Sequence, residues 1–496
     1  MAKTTDFVGR HDELALLNEL WNAQKANLLI LYGRRRVGKT RLLTYWLKRH
    51  PGSGLYWVAE PTAAFDQLRS FSQAIYNYST PKGVPAAPQD FTYASWEQAF
   101  QHVAAIAQSQ RFILFIDEFT YMMEAQPDIA GTLQKVWDHL LKNSNILLVL
   151  SGSQMGLMQK QILSYDAPLY GRATAQLQLQ PLPYGVTAEY FPDYSASERV
   201  SVYSVWGGVP AYWERINPSL SVLHNIQNQL LAINAQMQEE PRTLLQDFIN
   251  DPYNYVGIMR GIARGASTQA RIATYTGLPN GHMSRYLSVL QETGFVTRRV
   301  PVTELRINSR RGRYFITDPY LRFYYHFISA FQAKLALGEQ DEVLSAIREG
   351  LPQFLERYTW PELCREWLLR ASAQGQFPVA IEDMGDSWLR NVTMEIVGLN
   401  QAKHQLVLGT CQWQDNPGDA EAIIQLATET EAFLPSKGKW EVHFMGFANN
   451  GWQPEVKERA EKAMTRMGNK NWQFGGLHLL DLTQVDRDLT QWHKAK

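Results

Sequence analysis

This chain of 496 residues has little cysteine, no excess of either charge and no long apolar run. Its two cysteines, Cys364 and Cys411, are too few for a disulfide framework or for a cysteine-ligated zinc site within the chain. Lysine plus arginine and aspartate plus glutamate each number 48, so the formal net charge is zero. No global field attracts nucleic acid, and any DNA contact requires a local basic patch.

Targeting and membrane signals are also missing from the sequence. Residues 1–6 contain no apolar segment like that of a signal peptide, and the longest apolar runs are far shorter than a membrane span. We therefore expect a cytoplasmic protein without membrane contact. A hydrophobic content of 45% over this length indicates several folded domains.

One glycine-rich segment fits the pattern G-x-x-x-x-G-K-[ST]. It follows an apolar run at 28–31 and precedes a helical pattern at 41–47, which is the strand–loop–helix context that a phosphate-binding loop needs. Lys39 would reach the β- and γ-phosphates and Thr40 would ligate Mg²⁺. The predicted nucleotide-binding residues are Gly33, Arg34, Arg35, Arg36, Val37, Gly38, Lys39, Thr40 and Arg41.

The surrounding pattern predicts an α/β fold. Helical patterns at 65–78, 96–107 and 129–141 alternate with short apolar strands, which is typical of a parallel sheet covered by helices on both faces. The predicted strands are 28–32, 55–58, 112–116, 146–150 and 175–179.

Polar residues follow three of these strands. Asp117 is placed to hold Mg²⁺ and Glu118 to deprotonate the attacking water, because strand ends of a parallel sheet face the ligand crevice. A solvated acidic pair is the alternative for this strand end taken alone. Ser151 and Ser153 are candidates for contact with the γ-phosphate or the water, although a simple Ser-Gly turn explains them nearly as well. Arg172 precedes the last strand and could contact transition-state charge, but a surface arginine explains it too.

Beyond residue 183 the strands stop and helical patterns at 197–206 and 220–237 predict a helical lid. Helices at 269–275 and 282–293, joined by a turn at 277–280, then precede strands at 295–302 and 313–317, which predicts a winged helix-turn-helix. Within it Arg306 and six further arginines form a basic patch, for which we weigh duplex DNA against a protein partner. These DNA-binding candidates are Arg285, Arg298, Arg299, Arg310, Arg311 and Arg313.

Together the segments 7–10, 33–40, 117–118, 151–153, 169–172 and 207–210 resemble the archaeal-type ATPases of the AAA+ superfamily. The resemblance implies a P-loop NTPase core of the AAA+/ASCE type that binds ATP and Mg²⁺, with a sensor role for Ser151 or Ser153. It makes Arg172 the arginine finger or sensor, acting in cis or in trans, and places 207–210 in a lid segment near the adenine. The base preference for ATP over GTP rests on this resemblance.

The resemblance also implies a carboxyl-terminal domain similar to restriction endonucleases, and here the sequence departs from the family. Glu395, Thr410 and Gln412 stand where such a nuclease has an aspartate, a glutamate and a lysine, and Glu362 is the one upstream acid that matches. These residues cannot easily hold a catalytic Mg²⁺, so we predict a nuclease-like fold without nuclease activity.

The predicted domains are an ATPase core (1–182), a helical lid (183–255), a winged helix-turn-helix (256–329) and a degenerate nuclease-like domain (330–496). The expected function is a Mg²⁺-dependent ATPase that couples its nucleotide state to a macromolecular partner, with duplex DNA preferred. An ATP-switched DNA-binding regulator and a protein-binding scaffold or homo-oligomer with little hydrolysis remain open, and an active nuclease ranks last.

Overall fold

The computed structural model of the chain describes residues 7–81, 83–246, 248–249, 251–304, 309, 311–389, 392–436 and 438–494. These residues form two compact units. The first unit runs to Leu182 and includes Val209–Glu214, whereas the second comprises Pro183–Gly208 and the chain from Arg215 onward.

The first unit is built on a five-stranded parallel sheet in the order β2-β3-β4-β1-β5. The strand that precedes the glycine loop, β1, lies between β4 and β5. The strand that ends in the acidic pair, β3, lies on the other side of β4. The strands are β1 (Asn27–Tyr32), β2 (Gly54–Val58), β3 (Phe112–Asp117), β4 (Ile146–Gly152) and β5 (Ala175–Gln178).

Alternate residues of the central strands enter two hydrophobic cores on opposite faces of this sheet. In β1, Leu28 and Ile30 belong to one buried cluster, whereas Leu29 and Leu31 belong to the other. Successive side chains of a strand point to opposite faces, so a strand covered on both sides must be apolar throughout. This is why the strands were recognisable as continuous apolar runs, and the predicted α/β core is confirmed.

Helices cover both faces of the sheet. The helices α1 and α2 contribute to the smaller core, and α3 to α6 contribute to the larger one. The helices of this unit are α1 (His11–Asn22), α2 (Lys39–Leu47), α3 (Ala64–Ser79), α4 (Trp96–Ser109), α5 (Phe119–Ala125), α6 (Ile129–His139) and α7 (Met155–Met158), which a wider turn, Gln159–Leu163, extends.

The second unit begins with short helices, and one of our helix predictions is wrong here. The pattern at 220–237 predicts one continuous helix, but the helix that begins at Val222 ends at Leu231, and only a short 3-10 turn, Gln236–Gln238, follows. Ala232 leaves the helix with an extended ψ of 146°, and Asn234 adopts a left-handed conformation, which an α-helix cannot contain. The helices of this region are α8 (Thr187–Tyr190), α9 (Ala196–Trp206), α10 (Pro210–Trp213, in the first unit), α11 (Val222–Ile226) and α12 (Glu240–Gln246).

The winged helix-turn-helix follows, and it is confirmed. Thr268 caps the first helix of the motif by accepting a hydrogen bond from the Arg271 amide, and Gly277 ends it in a left-handed conformation. On the next helix Met283, Leu287 and Leu290 are fully buried. The elements are α13 (Tyr253–Ala263), α14 (Gln269–Thr276), α15 (Asn280–Glu292) and the antiparallel strands β6 (Val296–Arg299) and β7 (Arg313–Ile316).

The rest of the second unit contains a mixed five-stranded sheet in the order β12-β11-β10-β9-β8, in which β10, β11 and β12 are parallel. The strands are β8 (Asp383–Leu389), β9 (Val392–Asn400), β10 (Gln405–Gln412), β11 (Trp440–Ala448) and β12 (Trp472–Asp481). The helices are α16 (Pro319–Phe323), α17 (Gln332–Ala336), α18 (Gln340–Phe354), α19 (Trp360–Ala373), α20 (Ala420–Phe433), α21 (Val456–Met467) and α22 (Leu482–Lys494). Across the described residues no helix has both the length and the apolar character to cross a membrane.

The chain that leaves β6 contacts the edge strand β8. The Val302 amide donates to the Asp386 carbonyl (3.0 Å), and the hydroxyls of Thr303 and Ser387 are 2.9 Å apart. The Trp388 indole donates to the Arg311 carbonyl (3.0 Å). The predicted strand 295–302 therefore stops at Arg299, because its last residues bond to β8 instead of β7.

Candidate active site

The glycine loop connects the end of β1 to the start of α2, and its two glycines are required for different reasons. A Cβ on Gly33 would lie 2.5 Å from the Leu179 carbonyl oxygen, so no side chain fits against the chain that follows β5. Gly38 has a φ of 98°, which side-chain-bearing residues rarely adopt. Its conformation starts α2 at Lys39, and the helix N-terminus supplies free backbone N–H groups at this position.

Lys39 lies within the loop and is only 5% exposed. Its ammonium donates to the Gly33 carbonyl (2.8 Å) and the Arg34 carbonyl (3.2 Å). Burial lowers the pKa of Lys39, while the carboxylates of Glu118 and Asp117 act in the opposite direction. Within the described part of the chain, the Lys39 ammonium donates only to carbonyls of the loop. A buried cation of this kind is suited to binding a polyphosphate.

Thr40 and Asp117 form the predicted metal-binding pair. The Thr40 hydroxyl donates to Asp117 Oδ2 at 2.6 Å, and Asp117 is 1% exposed at the end of β3. Hydroxyl and carboxylate oxygens are the ligand types that Mg²⁺ takes beside substrate phosphates. The residues present therefore fit the ATP and Mg²⁺ that the sequence implies.

Glu118 follows Asp117 in a left-handed conformation with a φ of 52°. Its Oε2 accepts from the Ser153 hydroxyl (2.7 Å) and from the Ser153 amide (3.2 Å) at the end of β4. A non-glycine residue in this backbone region is strained and is retained where the surroundings enforce it. The structure thus holds the predicted base in one orientation through a predicted sensor residue.

Ser151 lies two residues earlier, on β4. It is fully buried, and its hydroxyl makes no hydrogen bond within the described part of the chain. Buried hydroxyls in proteins usually have a partner. Strand β4 therefore carries a buried hydroxyl with no partner among the described residues, two positions before Ser153.

The loop arginines contact neighbouring helices. Arg34 donates to the Tyr212 hydroxyl (3.0 Å) on α10, and Arg35 donates to the Tyr121 hydroxyl (2.9 Å) on α5. Arg41 forms an ion pair with Glu214. Arg36 has a left-handed φ of 69°, and Val37 is fully buried. The arginines that the sequence predicted as nucleotide-binding thus also connect the loop to α5 and α10.

Two contributors to the site were missed in the sequence. The guanidinium of Arg10 donates to the Val37 carbonyl (2.9 Å) and pairs with Glu13 (2.8 Å). Arg10 thus links the glycine loop to α1. The Tyr56 hydroxyl donates to Asp117 Oδ2 (2.6 Å), and burial together with this hydrogen bond raises the pKa of Tyr56. The segment 7–10 was a usable signal for Arg10, whereas nothing in the sequence marks Tyr56.

Arg172 is held by an acid of the same unit. Its Nη2 lies 2.7 Å from Asp138 Oδ2, and its Nη1 donates to the Pro168 carbonyl (2.9 Å). The hydrogen bond from Arg172 lowers the pKa of Asp138. The Arg172 side chain is 28% exposed.

The predicted DNA-binding arginines divide into three groups. Arg285 is exposed on α15, and Arg311 is half exposed near Glu304 (3.8 Å). Arg310, like Arg306, lies outside the described residues. Arg298, Arg299 and Arg313 are partly exposed, and each also contacts a group of the same unit. Arg298 donates to the Ser309 carbonyl, Arg299 pairs with Glu362 (3.4 Å) and Asp386 (3.7 Å), and Arg313 lies 4.6 Å from the centre of the Trp388 ring.

The four residues at the nuclease-like positions come together in the second unit, where Glu362, Glu395, Thr410 and Gln412 line one cavity. Burial raises the pKa of Glu395 to about 7. Glu362 contacts Arg322 at 3.1 Å as well as Arg299. Burial alone would raise the pKa of Glu362, but these arginines outweigh it and lower the pKa. The carboxylate oxygens of Glu362 are therefore already paired with two arginines of the same unit.

Comparison with protein families gives three matches. Residues 7–216 match an ATPase domain found predominantly in Archaea. Residues 256–299 match the IclR helix-turn-helix domain, and residues 324–423 match a family of archaeal and bacterial proteins of unknown function.

Two relatives come from Methanocaldococcus jannaschii. An uncharacterized protein is 27% identical over 409 residues, which cover 82% of this chain and 88% of the relative. An uncharacterized ATP-binding protein is 60% identical over 42 residues, which cover 8% of this chain and 71% of the relative.

Solved structures resemble the chain only distantly. The RuvB Holliday junction branch migration motor of Thermotoga maritima is 17% identical, with 64% of this chain and 95% of that chain covered and a TM-score of 0.30. A signal transduction ATPase from Pyrococcus horikoshii is 14% identical, with 75% and 51% covered and a TM-score of 0.28. Similarity at these scores supports no conclusion about activity.

Proposed function

We propose that this chain, which belongs to the archaeal-type ATPases, is a Mg²⁺-dependent ATPase of the AAA+ superfamily that couples hydrolysis to a macromolecular partner. The observation that carries the proposal is the contact between Thr40 and Asp117 beside the buried Lys39. The Lys39 ammonium and the Thr40 hydroxyl at the start of α2, together with the Asp117 carboxylate at the end of β3, form the set of groups that phosphoryl transfer requires.

In this mechanism the loop amides and Lys39 bind the phosphates of ATP, and Lys39 exchanges its loop carbonyls for phosphate oxygens. Thr40 and Asp117 would hold Mg²⁺, which when bound would supply positive charge against the phosphates. Glu118 orients the attacking water and accepts its proton, and Ser153 fixes the carboxylate that does so. Ser151 offers its free hydroxyl to the γ-phosphate or the water.

Arg172 is proposed as the residue that stabilises transition-state charge. Its exposed fraction and its ion pair with Asp138 support a conditional role, in which a partner or a neighbouring subunit releases the guanidinium. Whether the arginine then acts in cis or in trans is decided by mixing Arg172→Ala with Lys39→Ala protein. Recovery of turnover in the mixture assigns action in trans, and no recovery assigns action in cis.

The ATPase proposal is tested by phosphate release from ATP with Mg²⁺ and with excess EDTA. We expect turnover with Mg²⁺, loss of turnover with EDTA, and recovery when Mg²⁺ is restored. Turnover that persists in EDTA would contradict the role of Thr40 and Asp117. The same assay with GTP measures the base preference.

Duplex DNA is the partner that we propose, on the support of the helix-turn-helix and the exposed Arg285 on its second helix. We expect duplex DNA to stimulate ATP turnover at low salt, and we expect the stimulation to decrease as salt increases. Arg285→Ala and Arg311→Ala should weaken this effect, whereas Arg487→Ala, an exposed arginine near the carboxyl terminus, should not. Equal turnover with and without DNA at low salt would favour a protein partner.

We further propose that the nuclease-like domain cleaves no DNA. The ion pairs of Glu362 with Arg322 and Arg299 support this, because a carboxylate that already binds two arginines is a poor metal ligand. Incubation with plasmid DNA and Mg²⁺ or Mn²⁺ should leave the plasmid intact. Metal-dependent cleavage that Glu395→Ala abolishes would overturn this proposal.

A further inference from the structure

The second unit contains a cavity of about 580 Å³ that the ATPase mechanism does not use. It is enclosed by β7 of the winged motif, by the start of α19 and the turn before it, and by β8, β9 and β10 of the mixed sheet. Pockets that bind small organic ligands commonly have volumes between about 300 and 1,000 Å³. The cavity is therefore large enough for a ligand of mononucleotide size.

Charged side chains of both signs line this cavity, with one more arginine than carboxylates. Five arginines and four carboxylates line it, namely Arg299, Arg313, Arg322, Arg357 and Arg365 against Glu356, Glu362, Asp386 and Glu395. The five arginines and four carboxylates give the lining a small formal excess of positive charge.

Ion pairs within the cavity neutralise only some of its arginines. Glu362 lies within 3.4 Å of both Arg322 and Arg299, and Asp386 also pairs with Arg299. Among the residues that the structure describes, neither Arg313 nor Arg357 has a carboxylate within 4.0 Å. These two guanidinium groups thus retain donors for an external anion.

Aromatic rings hold both arginines in place. The Arg313 guanidinium lies 4.6 Å from the Trp388 ring centre, and that of Arg357 lies 5.3 Å from the Tyr358 ring centre. Stacking of this kind orients the planar group and leaves its edge donors available for two-point contact with phosphate or carboxylate oxygens. Arg365 donates to the Glu395 carbonyl (2.7 Å) and adds a third fixed cation.

Neutral polar groups complete the lining. Thr410, Gln412 and Ser267 offer hydroxyl and amide groups beside the arginines. Such groups can hydrogen-bond the uncharged body of a ligand, whereas a bare inorganic anion would use the arginines alone. We propose that this cavity binds a phosphorylated small molecule of mononucleotide size, held by Arg313 and Arg357 through its phosphoryl group.

The test uses AMP as the probe and isothermal titration calorimetry on the full chain. Because the glycine loop also binds phosphates, the titration is made with wild-type protein and with Lys39→Ala. We expect AMP to bind both, and we expect Arg313→Gln and Arg357→Gln to raise its Kd at least tenfold. Arg487→Gln, which removes an exposed arginine outside the cavity, serves as the matched control and should leave the Kd unchanged.

Two further titrations make the result specific. Adenosine, which lacks the phosphoryl group, should bind at least tenfold more weakly than AMP. Thr393→Trp fills the cavity from an exposed position on β9 without removing an arginine, and it should also weaken AMP binding. Circular dichroism of every variant, and ATP turnover of the cavity variants and of Arg487→Gln, show that each is folded.

Three outcomes would overturn the proposal. The first is no heat of AMP binding at millimolar concentration, and the second is loss of binding in Lys39→Ala with no effect of the cavity variants, which would assign AMP to the glycine loop. The third is equal affinity for AMP and adenosine, which would exclude a role for the phosphoryl group.

Discussion

The glycine-loop site and the arginine cavity are built in opposite ways. Eight consecutive residues supply most of the first site, and the end of one strand adds Asp117 and Glu118. The cavity is lined by residues spread between Ile262 and Gln414, and each segment contributes only a few side chains. A site carried by one segment leaves a motif in the sequence, whereas a site assembled by tertiary packing leaves none.

Arginine has a different environment in each place. In the loop, Arg34 and Arg35 donate to tyrosine hydroxyls of neighbouring helices. In the cavity, Arg299 and Arg322 share Glu362, and Arg313 stacks on Trp388. Loss of the shared carboxylate should therefore affect stability, and loss of loop groups should affect catalysis.

The largest effect is expected for Lys39→Ala. In our mechanism the buried Lys39 ammonium contacts the phosphates, so its removal should weaken ATP binding by about 3 kcal/mol, which is roughly 100-fold in Kd, and should abolish hydrolysis. Calorimetric titration with ATP measures this change. Lys48→Ala, an exposed lysine at the end of the same helix, should bind ATP like the wild type, and equal affinity in both variants would contradict the role of Lys39.

Next in size is the effect of Glu362→Gln on stability. Removal of this carboxylate leaves Arg322, which is 4% exposed, without an acid, and should lower the free energy of unfolding of the second unit by about 2 kcal/mol at neutral pH. Urea unfolding monitored by tryptophan fluorescence measures it. Glu342→Gln, whose ion pair with Lys334 is largely exposed, should cost less than about 0.5 kcal/mol.

The stability difference between the wild type and Glu362→Gln should depend on pH. The pKa of Glu362 in the folded protein is lower than its ordinary value of 4.5, so its ion pairs stabilise the fold fully above that pH. The stability difference between wild type and Glu362→Gln should shrink as the pH falls below 4.5. A difference that stays constant to lower pH would show that charge is not its cause.

The smallest effect is expected for Ser153→Ala. The hydroxyl of Ser153 orients Glu118 without touching ATP in our mechanism, so its loss should reduce turnover by about 1 kcal/mol, or roughly fivefold, and leave the Kd for ATP unchanged. Steady-state phosphate release and ATP titration separate the two quantities. Ser109→Ala, at an exposed helix end, is the matched control.

The sequence was sufficient for the parallel sheet and for much of the glycine-loop site. Strands buried on both faces are continuously apolar, and the spacing from Gly33 to Thr40 has a direct physical meaning. Tyr56 was not predictable, because its contact with Asp117 joins positions 61 residues apart that only strand pairing brings together. The assignments of Glu118, Ser153 and Arg172 remain predictions.

The wing was the part that the sequence described least well. A hairpin rich in arginine suggested a basic patch, and Arg299 and Arg313 of that patch line the cavity with residues of the mixed sheet. Acidic partners such as Glu362 and Asp386 lie more than 60 residues away in the chain, so local charge counts could not reveal them. The pattern 220–237 failed for a similar reason, because helical spacing does not report the break after Leu231.

Glu118→Gln tests the central claim most directly. This change removes the proton acceptor but keeps the shape of the side chain, and Glu124→Gln on the next helix provides an exposed control. We predict that Glu118→Gln binds ATP with an affinity close to that of the wild type, while its rate of phosphate release falls by roughly 100-fold or more. Wild-type turnover in Glu118→Gln would contradict the assignment of this site as the ATPase centre.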